Sequence, residues 1–211
     1  MSTLYQRRGK RLLDILISVA ALVATAPIQV LVAGVVWRSV GRPILFRQMR
    51  PGVNGEPFTL LKFRTMHEHS SGNGSDSDDE MRLTRAGKWL RSWSLDELPE
   101  FLNVLRGEMS IVGPRPLLLE YLSRYSSEQM RRHEVRPGLT GLAQINGRNL
   151  VPWEDRFIAD VWYVDHVSLQ LDFTIILKTV AAVFKRQGVT PANSPVMRPF
   201  NGGDEQVPHQ R

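Results

Sequence analysis

The sequence predicts an α+β protein, mostly α. Three observations predict it. The stretch from Ile15 to Trp37 holds no charged residue, two β-rich runs lie close together around turn residues, and apolar residues recur at helical spacing through most of the remainder. The expected architecture is a re-entrant N-terminal membrane helix, a small β-hairpin, and several amphipathic or interfacial helices around one domain. With 211 residues, 42% of them hydrophobic, the chain suffices for one domain with its own core plus a membrane element.

The apolar run comes first. At about 1.5 Å per residue it is long enough to cross a hydrocarbon core of ~30 Å. Pro27 sits near its middle, removing one helical N–H and crowding the carbonyl of Val23. Arg7, Arg8, Lys10 and Arg11 precede the run, and Arg38, Arg42, Arg47 and Arg50 follow it. Cations prefer the cytoplasmic side. A helix that enters, breaks at Pro27 and returns keeps both clusters there, with Thr25 and Gln29 placed to bond the freed backbone groups. A kinked spanning helix and a buried soluble helix are the alternatives.

Pro43–Gln48 and Phe58–Thr65 are β-rich and joined by Pro51-Gly52 and Asn54-Gly55, a hairpin pattern. Lys62 and Arg64, two apart, face the same way, as solvated edge charges or as a phosphate-facing pair. Arg82 to Trp93 reads as a basic amphipathic helix, either on the protein surface or lying on headgroups. Leu98, Phe101, Leu102 and Leu105 recur at helical spacing before Gly107, a C-cap residue. A further helix is expected over Leu117–His133, a glycine-rich loop over Arg136–Asn149, and helices over Trp153–His166 and Ser168–Arg186. The acidic, Ser/Gly-rich block from His67 to Glu80 reads as a solvated loop, its histidines included. The polar, proline-spaced residues from Gly188 read as a flexible tail.

Composition narrows the chemistry. Cysteine is absent, which excludes thiolate metal sites, thiol nucleophiles and disulfides. The net charge is +6, and arginine, whose planar fork grips phosphates, outnumbers lysine. Phosphate-rich partners follow: nucleic acid, an anionic membrane surface or a phosphorylated substrate. The basic residues flank the apolar run and no nucleic-acid motif occurs, so nucleic acid is the weakest of these. Walker A, GxGxxG, nucleophile-elbow and H-E-x-x-H patterns are all absent.

The chemistry-bearing stretch is Arg91 to Pro116. Ser94 to Glu97 fits a capping box, which would make Glu97 a cap only. With Asp96 as N-cap instead, Pro99 falls at the third helical position, where its missing N–H costs little. The second arrangement is preferred, and it sets Asp96 against the positive end of a helix, which favours the ionised carboxylate. Such an Asp can attack phosphorus or hold Mg²⁺. Arg115 stands between Pro114 and Pro116, a stiffly mounted guanidinium or an incidental arginine in a rigid turn. Arg148 follows Asn146-Gly147, where backbone N–H groups could face an anion.

These motifs resemble the bacterial sugar transferases, the monotopic polyprenyl-phosphate phosphoglycosyl transferases. The shared elements are KRLLD (Lys10–Asp14), LKFRTM (Leu61–Met66), RSWSLDELP (Arg91–Pro99), NVLRGEMSIVGPRP, PGLTGLAQINGRN, DVWYV (Asp160–Val164) and the LDFTIIL run from Leu171. The likeness covers about residues 5 to 187 and implies the small, single-domain form. Residues 1–40 would hold the basic N-terminus and re-entrant helix, 41–187 the catalytic domain, and 188–211 the tail. The resemblance implies that Asp96 is the nucleophile and an Mg²⁺ contact, with Glu97 as its partner acid. It places phosphate-binding cations at Lys62, Arg91, Arg115 and Arg148, with Arg64 beside Lys62 as a further candidate. It implies a UDP-sugar and undecaprenyl phosphate as substrates, release of UMP, and a site on the cytoplasmic face of the inner membrane. Two residues depart from the family pattern: Ala26 replaces the Ser common before the proline, and Glu100 replaces the usual Gln. The rival reading is a non-catalytic membrane scaffold on anionic lipids. The sugar, the glycan pathway, self-association and association with downstream glycosyltransferases are left open.

Overall fold

The computed structural model describes residues 5–67, 82–147, 151–185 and 200–202. The apolar run is helical throughout: α1 spans Lys10–Ser39, preceded by a π turn at Tyr5–Gly9. Pro27 lies inside α1 and does not end it. One missing N–H costs about 3 kcal/mol, which a helix of this length and apolarity carries. The Thr25 hydroxyl donates to the Ala21 carbonyl at 2.7 Å and accepts from the Gln29 amide at 3.0 Å. The hydroxyl thus serves the carbonyl one turn above itself, not that of Val23 as expected.

Both ends of α1 dock on the folded body. Near its start, Arg11 donates to the carbonyls of Val104 and Leu105 at 2.6 and 2.7 Å. These belong to the last turn of α3 (Glu100–Arg106), where the Gly107 N–H also donates to the Val104 carbonyl at 3.0 Å. Asp14 accepts from the Ser110 hydroxyl and the Ile111 N–H, each at 2.9 Å. Near its end, Val32 and Val36 pack with Phe63 and Leu90 in a second core. Between these footings Val19, Val23, Ile28, Val30 and Leu31 are exposed.

Strands β1 (Leu45–Pro51) and β2 (Pro57–Phe63) form the expected antiparallel hairpin, pairing Arg50 with Phe58 and Phe46 with Lys62. Its turn uses positive φ at Asn54 and Gly55. The outer edge of β2 is covered by a side chain. Buried Asn103 donates to the Thr59 carbonyl at 2.7 Å and accepts from the Leu61 N–H at 3.1 Å. One amide thereby fixes α3 against the hairpin.

Helix α2 (Arg85–Ser92) is capped by Thr84, whose hydroxyl accepts from the Gly87 N–H at 2.9 Å. Gly87 passes so close to β2's exit that a Cβ would lie 2.2 Å from the Thr65 carbonyl oxygen. A short parallel pair, β3 (Ser110–Val112) with β4 (Gly138–Thr140), closes the main core of Phe58, Leu60, Val104, Met109, Tyr163 and Ile175. β4 lies in the stretch expected to be a loop. Three residues carry no readable alternation, and Gly138 is there for proximity: its Cβ would fall 2.1 Å from the Gly113 nitrogen. The helix expected over Leu117–His133 is instead a 3-10 turn (Leu119–Arg124), α4 (Ser127–Met130) with a full capping box at Ser126, and another 3-10 turn (Arg131–Glu134). A brief α5 (Leu142–Ile145) precedes α6 (Trp153–Asp165) and α7 (Leu169–Phe184), which match the expected pair.

The tail was expected to be flexible, yet one of its described residues, Phe200, docks on the body. Phe200 is buried with Tyr121 and Phe157, stacks on Tyr125, and accepts at its carbonyl from Arg124.

Candidate active site

The acid pair sits on a short turn, not on a helix N-terminus. Ser94, at φ 54°, reverses the chain after α2, and Leu95–Glu97 forms a single 3-10 turn. α3 begins only at Glu100, with Pro99 in the N-cap position. The expected role of Asp96 as N-cap is therefore corrected: Pro99, with its φ fixed near −64°, nucleates the helix directly after itself.

Glu97 is gripped from two sides. Its Oε1 lies 2.7 Å from Lys62 Nζ and 2.8 Å from Arg115 Nη2. Burial alone would raise its pKa, but Lys62 and Arg115 outweigh it and hold the carboxyl well below the usual range. Lys62 also stands 3.0 Å from Glu100 Oε1, close enough for an ion pair but not aligned for a hydrogen bond. Glu100 is almost completely buried, and burial with the neighbouring Glu97 charge pushes its pKa up to about 7. Lys62 cannot reverse this because Glu97 already engages it. Asp96, only 8% exposed, is pushed up by burial and then by Glu97, against the pull of Lys62 and Arg91. The sequence-based expectation was the opposite, a helix end keeping Asp96 ionised. With the helix starting four residues later, desolvation dominates.

The sequence-predicted cations part company. Lys62 and Arg115 meet at Glu97, and Arg91 lies near enough to favour the charged form of Asp96. Arg91 is held by Thr65, its Nε donating to the hydroxyl at 3.0 Å. Arg64 lies just past the end of β2 and donates to the Val40 carbonyl at the end of α1, at 3.0 Å. This contact joins the end of α1 to the hairpin. Arg148 lies outside the described residues. Pro27 lies within α1, among its exposed middle residues.

A supporting layer was not anticipated residue by residue. Buried Arg132 donates to Asp160 at 2.7 Å and to the Arg115 carbonyl at 2.8 Å, so it mounts the proline-flanked segment from behind. Its guanidinium also faces the rings of Tyr125 and Phe157. Asp160 opens the DVWYV element, whereas Arg132, inside a run of basic residues, gave no signal of burial. Tyr163 donates to Asp172 at 2.6 Å, and Lys10 reaches the same carboxylate at 2.6 Å, joined by the Tyr5 hydroxyl. The KRLLD, DVWYV and LDFTIIL elements therefore meet in one buried network that ties α1 to α6 and α7.

Among the described residues no cluster of three His, Asp or Glu side chains forms a metal cage. One buried carboxylate, Asp96, whose ionisation burial opposes, remains available to a divalent cation. That suits Mg²⁺, which typically takes one or two carboxylates together with substrate phosphates.

With this geometry in place, the chain matches the family model for bacterial sugar transferases over residues 5–186. The chain belongs to that family. It is 47% identical over 196 residues to an uncharacterized sugar transferase, EpsL, of Bacillus subtilis (strain 168), covering 93% of this chain and 97% of that protein. It is similar to the UDP-glucose:undecaprenyl-phosphate glucose-1-phosphate transferase of Caulobacter vibrioides, with 41% identity over 186 residues, 82% of this chain and 69% of that one. The Klebsiella pneumoniae protein of the same name is 42% identical over 181 residues, which span 81% of this sugar transferase but 39% of its relative.

Proposed function

We propose that this sugar transferase moves a sugar 1-phosphate from a UDP-sugar to a polyprenyl phosphate, undecaprenyl phosphate being the expected carrier. Asp96 is the nucleophile. The observation that carries the reading is the buried Asp96 beside a Glu97 already neutralised by Lys62 and Arg115. A scaffold that merely held headgroups has no use for a desolvated acid.

A carboxylate oxygen of Asp96 attacks the sugar-bearing phosphorus, the P–O bond to the bridging oxygen breaks, and UMP leaves with the electron pair. The acyl phosphate so formed is attacked by an oxygen of the polyprenyl phosphate. The Asp96–phosphorus bond then breaks and the carboxylate is restored. Asp96 would be the residue that holds Mg²⁺, whose positive charge would favour the ionised carboxylate and offset charge on the substrate phosphates. Glu97 holds Lys62 and Arg115 at the site, and Arg132 fixes the backbone on which Arg115 stands.

The membrane arrangement follows from the footings of α1. Asp14 and Ser18 are buried near its start and Val32 and Val36 near its end, with an exposed apolar middle between. Two ends on one body belong on one side of a membrane, which supports a re-entrant segment dipping into the cytoplasmic leaflet of the inner membrane. A water-soluble nucleotide and a lipid-borne phosphate then meet at one surface. The test is UMP release from a panel of UDP-sugars by membrane fractions, with polyprenyl phosphate and Mg²⁺ added singly and together. Turnover only with both is the expected result. Release of UDP instead would sink the phosphosugar transfer.

A further inference from the structure

Resting on the transferase reading, we infer that Arg50 is a further donor-binding residue, gripping the phosphate that departs as UMP. The hairpin register places it. Arg50 pairs with Phe58, Gln48 with Leu60 and Phe46 with Lys62, so Arg50, Gln48 and Lys62 share one face. That face looks into the body, since Phe58 and Leu60 on it belong to the main core. Arg50 lies four residues from Lys62 along this face, roughly 13 Å between backbones, within reach of long side chains aimed at one diphosphate.

The guanidinium itself is incompletely engaged. One nitrogen donates to Gln48 Oε1 at 2.6 Å, which holds the group in place. Nε is buried and has no acceptor among the described residues, and no carboxylate ion-pairs with Arg50 there. The charged and titratable groups that face it are Arg115, Glu100, Tyr121 and Tyr125. Arg115 is itself committed to Glu97, and burial favours neutral Glu100. Two guanidiniums therefore lie near each other with too little negative charge between them, an arrangement that an anion relieves.

The position selects which phosphate. Lys62 and Arg115 meet at Glu97, next to the nucleophile, so they serve the sugar-bearing phosphate. Arg50 stands farther along the hairpin, toward Tyr121 and Tyr125, and so serves the nucleoside-side phosphate. When the bridging P–O bond breaks, the negative charge that grows on UMP falls within its fork.

The experiment measures UMP affinity by titration of the purified full-length protein, with uridine as a phosphate-free control, and the Michaelis constants of both substrates. Arg50→Met should weaken UMP binding at least about tenfold, the loss typical of a charge-assisted phosphate contact. Uridine competition and the polyprenyl-phosphate Michaelis constant should stay unchanged. Arg50→Lys, which keeps the charge but not the fork, should fall between and serves if the Met variant fails to fold. Unchanged UMP affinity in a folded variant overturns the assignment while leaving the transferase reading intact. So does a change in the polyprenyl-phosphate constant alone, which would give Arg50 to the lipid phosphate. Wild-type protein that neither binds UMP nor releases it from any UDP-sugar overturns both.

Discussion

At the scale of single residues, the site depends on how unequally three neighbouring acids are treated. Glu97 has two cations, Glu100 shares one of them, and Asp96 has none within ion-pair distance among the described contacts. Glu97→Gln should leave Lys62 and Arg115 without their shared counter-charge and reduce turnover by ~10²-fold or more, read as initial UMP release. Glu100 offers a pH signature. Its folded pKa, about 7, stands above the ordinary value of 4.5. The folded protein therefore binds the extra proton between these values, and the stability linked to Glu100 falls as pH rises through that window. Glu100→Gln should remove this slope, so that the variant gains stability over the wild type between pH 5 and pH 8 in detergent-solubilised melting curves. A variant with an unchanged slope would place the titration elsewhere. Asp96 and Glu97 could be singled out in the sequence because an acid pair beside a proline is unusual. Their opposed pKa shifts were hidden there, since desolvation depends on which residues enclose them.

At the scale of elements, α1 and its footings decide how the site meets the membrane. Lys10, Tyr5 and Tyr163 converge on Asp172, which is 1% exposed. Asp172→Ala would strand the Lys10 charge in this network and should cost about 3–5 kcal/mol, measurable as a lowered melting temperature. Cysteines at Arg8 and Arg42, which flank α1, should label from the same side of sealed vesicles. Labelling from opposite sides would show that the helix spans. The charge pattern around Ile15–Trp37 made the helix legible, and Pro27 suggested a break. The structure keeps the helix whole because one lost hydrogen bond is small against a long apolar helix. The start of α3 was misplaced for a related reason: capping rules weigh local residues, and both Asp96 and Pro99 satisfy them, but the 3-10 turn set by Ser94 shifts the start to Glu100. β4 was missed because three residues with a glycine show no period.

For the whole molecule, long-range polar contacts join motifs that lie far apart in sequence. Arg11 closes the end of α3, Asp14 holds β3, Asp160 and Arg132 mount Arg115, and Asn103 pins α3 to β2. The hairpin, the paired C-terminal helices and the acid-pair stretch could be read from periodicity and turn residues. The network could not, because its members have no common spacing. Phe200 is the plainest case: nothing around it forms a pattern, yet it fills a cluster with Tyr121, Tyr125, Trp153 and Phe157. Phe200→Ala should lower stability by about 3 kcal/mol. The same cluster backs Arg132, so the cost should appear in turnover as well as in melting temperature.

The central claim is that Asp96 carries the phosphosugar between donor and lipid. Its most direct measurement is the intact mass of the purified protein mixed with a UDP-sugar and Mg²⁺ in the absence of polyprenyl phosphate. The wild type should gain the mass of one sugar phosphate, mapped to the peptide containing Asp96, with one UMP released per molecule, and Asp96→Asn should gain nothing. An Asp96→Asn protein that still forms the adduct, or that turns over at the wild-type rate, would contradict the account.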